Sequence, residues 1–345
     1  NYGVSGNLLS WIDAFLSNRL QCVVTEHCFS DWSTVLSGVP QGSVLGSILF
    51  ILYVDDIGSI CSANVSHKLF ADDLKLYSTI NSDLDRMSLQ AALTRLQQWC
   101  NDWQLTINIT KCHVLHIGRN THKSSYQYSL GGHPIYEADV VTDLGVIVDP
   151  ILKYEAHINK LVGKGYSRVG LLYKGFASRS PRVLKQAYIT YIRPVLEYAS
   201  SVWSPHLIKH IDAIERVQKK FTKRIRTISD LSYPERLAAL DLEPLELRRL
   251  KTDLILYYKC MNGLVALPYA DYFNVSNVIS QTRTGGNRLI QASCSTNQFQ
   301  NDFFNRSVSC WNFLPSHIIA TDTVFKFKRL LSTVDLRRFL KCTYF

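Results

Sequence analysis

The stretch KLFADDLKLYS, residues 68–78, decides the fold. Leu69, Ala71, Leu74 and Leu76 recur along it with strand-like spacing, and two carboxylates, Asp72 and Asp73, sit side by side in its middle. Extended arms on both sides place the pair at the tip of a tight hairpin anchored in a sheet. Such tips usually carry Gly or Asn, and this one carries neither. Two like charges held there repel unless a cation lies between them, and their hard oxygens suit Mg²⁺. In a two-metal displacement at phosphorus, ions about 4 Å apart activate the attacking oxygen and stabilise the leaving one. Such a site needs a third carboxylate from another strand.

A second doublet, Asp55-Asp56 in YVDD, lies just upstream. Adjacent aspartates arise by chance at this composition, so context discriminates. Asp55 and Asp56 follow the apolar run VLGSILFILYV and precede Ile57-Gly58-Ser59, which reads as a solvated helix end and turn. Ahead of that run is the loop SGVPQGS. Pro40 and Gly42 shape it so that backbone can approach a ligand closely, and Gln41 can both donate and accept at the ligand's edge.

The chain has 345 residues, 46% of them hydrophobic, enough for two or three globular domains. Thirty-eight Lys and Arg against 28 Asp and Glu give a net charge of +10, which suits a polyanionic partner such as nucleic acid. Nine cysteines without a CxxC pair indicate reduced thiols rather than a zinc site or disulfide framework. No secretory signal is visible, and VLGSILFILYV is shorter than the ~20 residues a spanning helix needs, so it reads as a buried core helix and no membrane partner is expected. In KCHVLHIG, strand alternation turns His113 away from Cys112 and His116, which speaks against a metal site there. No GxSxG elbow occurs.

Periodicity sketches an α+β chain. A helix over residues 7–17, extended QCVVTE and the loop lead to the doublets. A helix then starts at Asn81 or Ser82, with Leu89, Leu93, Leu96, Trp99 or Cys100, and Trp103 on one face. Short strands QLTINI, CHVLHI and DLGVIVD follow, with a turn region at GGHP. Beyond about residue 150 long helical periods take over. Ser180 and Pro181 open one helix, Pro194 splits its continuation, and LEPLELRRLKTDLILYYKCMNG ends at Gly263. In IDAIERVQKKFTKRIRTI, Ile211, Ile214, Val217, Phe221, Ile225 and Ile228 line one face. Arg216, Lys219, Lys220, Lys223, Arg224 and Arg226 crowd the others, where they would contact phosphates without reading sequence. Residues 274–297 read as polar and irregular, and the tail after them as helical.

Several ordered stretches resemble the reverse transcriptases of non-LTR (LINE-type) retrotransposons, especially the jockey-like group: WIDAFLSNR, SGVPQGSVLGSILFILYVDDI, KLFADDLKLYS, WCNDWQLTINITKC, DLGVIVD, RPVLEYASSVW, IERVQKKFTKRI and WNFLP. The resemblance implies a right-hand polymerase, with a partial palm over residues 1–150, a helical thumb gripping template and primer over 151–265, and a small helical region over 266–345. It implies RNA-directed DNA synthesis from dNTPs on an RNA template and DNA primer. Asp72 and Asp73 become the Mg²⁺ ligands, Pro40, Gln41 and Gly42 line the nucleotide pocket, and Phe70 and Ala71 lie beneath the primer end. Lys111 falls near the leaving pyrophosphate, and YVDDI corresponds to the helix end. In that family another palm aspartate, on a strand preceding the WIDAFL helix, completes the metal set, and the fingers lie before it. The chain begins after both, so the expectation is a truncated module that does not polymerise alone, leaving a nucleic-acid-binding remnant as the alternative. Its place of work is intracellular, nucleus or cytoplasm, with no compact localisation signal.

Overall fold

Element ends follow local chemistry. Ser82 and Asp85 form a capping box in which the Asp85 carboxylate accepts from the Ser82 N–H at 2.9 Å, and this starts α3 (Asp83–Asp102). The computed structural model describes residues 2–26, 28–118, 126–267, 269–273 and 288–344, and these divide into two compact units. The first takes the chain to Val114 and resumes to end at Glu137; the second holds Leu115 and what is described from Ala138 onward.

In the first unit α1 (Gly6–Leu16) precedes four two-residue strands, β1 (Leu20–Gln21), β2 (Val24–Thr25), β3 (Cys28–Phe29) and β4 (Ser33–Thr34), paired β1 with β4 and β2 with β3. Next come α2 (Val44–Val54), a 3-10 turn over Asp55–Ile60, and the hairpin of β5 (Ser66–Phe70) and β6 (Asp73–Tyr77). After α3, β7 (His113–Val114) pairs in parallel with β10 (Tyr136–Glu137), and β8 (Ser129–Leu130) pairs antiparallel with β9 (His133–Pro134). The core joins Val54, Ile57 and Ile60 to Leu96, Trp99 and Cys100 of α3, with Leu69, Leu74 and Leu76 of the hairpin packed on it.

Three expectations change here. The run VLGSILFILYV is a helix, but only Gly46 and Val54 are buried, while Val44, Ile48 and Ile51 are exposed. Apolar on every side, it has no stripe to select a face, and only its last turn reaches this unit's core. QLTINI is not a strand: Leu105 N–H closes onto Cys100 O at 2.8 Å, and a 3-10 turn over Ile109–Lys111 takes up its end, leaving only His113–Val114 of CHVLHI extended. The strands among the described residues form six two-stranded pairs, not one antiparallel sheet, because the hairpin buries its inner face on the α3 cluster rather than beside further strands.

The second unit opens on the hairpin of β11 (Val141–Asp143) and β12 (Val146–Val148), whose turn residues Leu144 and Gly145 both have positive φ, the sign pattern of a type I′ turn. DLGVIVD is therefore half turn and half strand. Helices α4 (Glu155–Gly175), α5 (Pro181–Tyr191), α6 (Arg193–Glu197), α7 (Ser200–Trp203), α8 (Ile208–Lys223), α9 (Tyr233–Ala239) and α10 (Leu245–Met261) follow, with Pro194 separating α5 from α6. The division between the two compact units falls before β11. Val146 shares a core with Ile158, and Ile147 N–H donates to His157 Nδ1 at 3.3 Å. Farther along the chain, Trp311 and Phe327 pack with Tyr257 and Tyr258 of α10. The polar region expected over 274–297 lies outside the described residues as far as 287. No described helix is long and apolar enough to cross a membrane, and all nine cysteines are free thiols.

Candidate active site

The hairpin register pairs Ser66 with Tyr77 and closes with Phe70 opposite Asp73, leaving Ala71 and Asp72 as a two-residue turn. Ala71 has φ +52° and Asp72 has a negative φ, the sign pattern of a type II′ turn. A side chain in that left-handed region costs about 1–2 kcal/mol, and such positions gather at functional sites. The arms are fixed by Leu69, Leu74 and Leu76 against the core, so the tip is rigidly based. Phe70, Ala71, Asp72 and Asp73 are all exposed. Neither carboxylate has a side-chain hydrogen bond or ion pair among the described residues.

The upstream doublet behaves differently. Asp55 accepts from the Tyr2 hydroxyl at 3.0 Å, a bond that raises the pKa of that hydroxyl, and Asp56 accepts from Trp99 Nε1 at 3.0 Å. Both lie in the 3-10 turn that ends α2, and both are used by the fold. Gly58, in the same turn, lets it approach β5, since a Cβ there would come within 2.6 Å of the His67 ring.

In the PQG loop, Arg19 donates to Ser37 O at 3.2 Å and to Gly38 O at 2.5 Å, tying the loop's entry to the end of α1. Ser43 caps α2, accepting from Gly46 N–H at 3.0 Å while its hydroxyl donates to Pro40 O at 2.7 Å. Gly42 has φ +83°, and Gln41 is exposed beside it. Sequence reading missed Gly46. A Cβ there would sit 2.9 Å from Pro40 O, so this glycine allows the loop to fold back on the first turn of α2. Its signal was a glycine three residues past a capping serine. Lys111 is exposed at the end of the turn over Ile109–Lys111.

The six cations of the basic helix separate. Lys219 bonds Asp212 at 3.1 Å and lies over the rings of Tyr344 (4.5 Å) and Tyr233 (5.4 Å). Arg216 pairs with Asp212 at 2.6 Å, and Lys223 donates to Ser229 O at 2.7 Å. Lys220 lies over Tyr166 and Arg224 over Tyr173, while Arg226 follows the end of α8. Burial pushes the Asp212 carboxyl up, but the Lys219 bond and the charges of Lys219 and Arg216 outweigh it and hold Asp212 below its usual range. Sequence reading also missed the polar core of α8. Glu215 accepts from the Tyr233 hydroxyl and from Leu245 N–H at 2.9 Å, and Gln218 accepts from the Tyr188 hydroxyl at 2.7 Å.

The first unit thus carries a turn-borne carboxylate doublet and a Gly-shaped loop at the capped start of α2. Residues 2–148 match the reverse transcriptase (RNA-dependent DNA polymerase) family. More particularly, the chain is 27% identical over 224 residues to the RNA-directed DNA polymerase from mobile element jockey of Drosophila melanogaster, covering 62% of this chain and 24% of that protein. Its Drosophila funebris counterpart is 25% identical over 232 residues, covering 64% and 25%. The probable RNA-directed DNA polymerase from transposon X-element of Drosophila melanogaster is 25% identical over 223 residues, covering 62% and 24%. The chain thus spans about a quarter of the length of these relatives. No solved structure gives a significant match.

Proposed function

We propose that this chain is an RNA-directed DNA polymerase module of a LINE-type element, with Asp72 and Asp73 as its metal-binding carboxylates. The observation that carries this is the contrast between the doublets: in a family-matched segment, Asp55 and Asp56 are engaged by the fold, whereas Asp72 and Asp73 are held at a rigidly based turn with no structural partner. Their oxygens suit Mg²⁺. The donor chemistry fits, but the donor set is short, since no group of three or more His, Cys, Asp or Glu is assembled among the described residues. When bound, the ions supply activation of the attacking oxygen and charge stabilisation at the leaving one. Around them, Gln41 and Gly42 orient the nucleotide, with Pro40 holding the loop. Phe70 offers its exposed ring beneath the primer end beside Ala71, and the Lys111 ammonium balances charge on the departing pyrophosphate.

The partial palm and helical thumb belong to the same proposal. The short donor set favours a second reading, a nucleic-acid-binding module without catalysis that uses the cations around α8.

Primer extension on a primed RNA template with Mg²⁺ decides between them. Incorporation that Asp72→Ala abolishes supports the polymerase reading, and incorporation that survives this change removes the hairpin as its site. Salt-sensitive primer-template binding without incorporation supports the second reading, and no binding at low salt removes both.

A further inference from the structure

Three guanidinium groups of the second unit surround one cavity of about 310 Å³, lined by Arg179, Arg224 and Arg226 with Tyr173, Leu184 and Ile225. They come from two helix ends. Arg179 donates to Tyr173 O at 2.9 Å and to Phe176 O, capping α4, and keeps three of its five N–H groups for other partners. Arg224 is the C-cap of α8, its guanidinium 4.2 Å from the centre of the Tyr173 ring, and Arg226 opens the following 3-10 turn.

Arginine at a helix C-terminus is ordinarily explained by the helix dipole. That accounts for each residue alone. It does not account for three around one cavity, none of which pairs with a carboxylate among the described residues. The Tyr173 hydroxyl supplies no counter-charge: burial pushes its pKa up to about 12, and it donates to Phe221 O at 2.9 Å.

We infer that this cavity binds one phosphate of a single-stranded nucleic acid, with Arg179, Arg224 and Arg226 on the phosphate oxygens and the buried Leu184, Ile225 and Tyr173 forming its floor. The volume decides between strand forms. It exceeds what a phosphate alone fills and falls at the small end of ligand pockets, which suits one nucleotide turned inward. A duplex presents its phosphates on a convex surface and does not enter. The inference rests on the reading that this chain handles nucleic acid, and it adds Arg179 and a defined pocket to the exposed face of α8.

The test is fluorescence anisotropy of a labelled single-stranded oligonucleotide with the full chain in EDTA, over a range of salt, which makes it independent of the Asp72 hairpin. Arg226→Gln is the informative variant, because Arg226 is exposed and its side chain makes no bond that the fold needs. Binding should weaken several-fold in Arg226→Gln and further in Arg179→Gln/Arg226→Gln, with the log-log salt slope falling in all by no more than about 0.7, the share of one phosphate. Lys328→Gln, an exposed cation on the helix Val324–Leu331, should leave both unchanged. If Arg179→Gln fails to fold, the Arg226 variant carries the test alone. The inference is overturned if Arg226→Gln weakens binding no more than Lys328→Gln, or if it weakens duplex and single strand equally. It is also overturned if inorganic phosphate alone raises the melting temperature of the wild type but not of Arg226→Gln while oligonucleotide affinity is the same for both. Loss of primer extension with binding intact would count against the polymerase reading only.

Discussion

The His67 imidazole on β5 fills the space beside Gly58 so closely that a Cβ there would lie 2.6 Å from its Cε1. This contact joins the turn that ends α2 to the strand leading to Asp72. Gly58→Ala should therefore cost about 1 to 3 kcal/mol of stability by overpacking. His67→Ala in the same chain should recover most of the loss, and a urea-denaturation double-mutant cycle reads the coupling. Equal losses with and without the His67 change would show that the contact does not hold the two together.

The two aspartate doublets should separate in stability measurements. Asp56→Ala removes the charged acceptor of the Trp99 indole N–H and should cost about 1.5 to 3 kcal/mol. Asp72→Ala removes an exposed carboxylate without a structural partner and should change stability by less than about 0.5 kcal/mol. Thermal unfolding of both variants checks this. A large loss at Asp72 would mean that the fold, rather than a ligand, uses this carboxylate.

Lys219 and Lys220, adjacent on α8, should likewise behave differently. Lys219→Gln loses the Asp212 pair and two ring contacts and should lower stability by about 1 to 2 kcal/mol without altering the salt dependence of duplex binding. Lys220→Gln should lower the salt slope by about 0.9 and keep the fold. Calorimetry and a salt titration of binding test the pair.

Acid should weaken the second unit through His157. Burial, and then the charge of Lys160, hold the pKa of this imidazole below its ordinary 6.5, and its Nδ1 accepts from Ile147 N–H. The unfolded chain takes up a proton below 6.5 that the folded state refuses, so the contribution is complete above that pH and is lost as pH falls toward the folded value. His210 and His206 shift in the same direction, chiefly by burial. His157→Gln should flatten the stability-against-pH curve below 6.5 by up to about 1.4 kcal/mol per pH unit. An unchanged slope would rule out this histidine as a source of the acid sensitivity.

Much of the site was legible as local pattern. The hairpin around Asp72 follows from alternation on both sides of a doublet, and the separate character of Asp55-Asp56 follows from the apolar run before it. The buried stripe of α8 was visible in the spacing of Ile211, Ile214, Val217 and Phe221, all fully buried. What the pattern could not give was partnership. VLGSILFILYV looked like core because it is apolar throughout, yet burial depends on what lies opposite, and only Val54 and Gly46 found cover. Glu215 and Gln218 carried no signal, because Tyr233, Tyr188 and Leu245 reach them from elsewhere in the chain, and Lys219 read as a phosphate contact, although Asp212 on the same helix engages it. Arg179 drew no notice, because its distance from Arg224 in sequence says nothing of the cavity they share.

The sequence by itself determined the main helices, where the acidic turn falls and the family model that residues 2–148 match, because backbone periodicity and turn chemistry act over a few neighbouring residues. Tertiary structure alone decided which charges are free and which are consumed. Bonds such as Trp99 to Asp56 and Tyr188 to Gln218 join groups far apart along the chain, and no local spacing encodes such a partner.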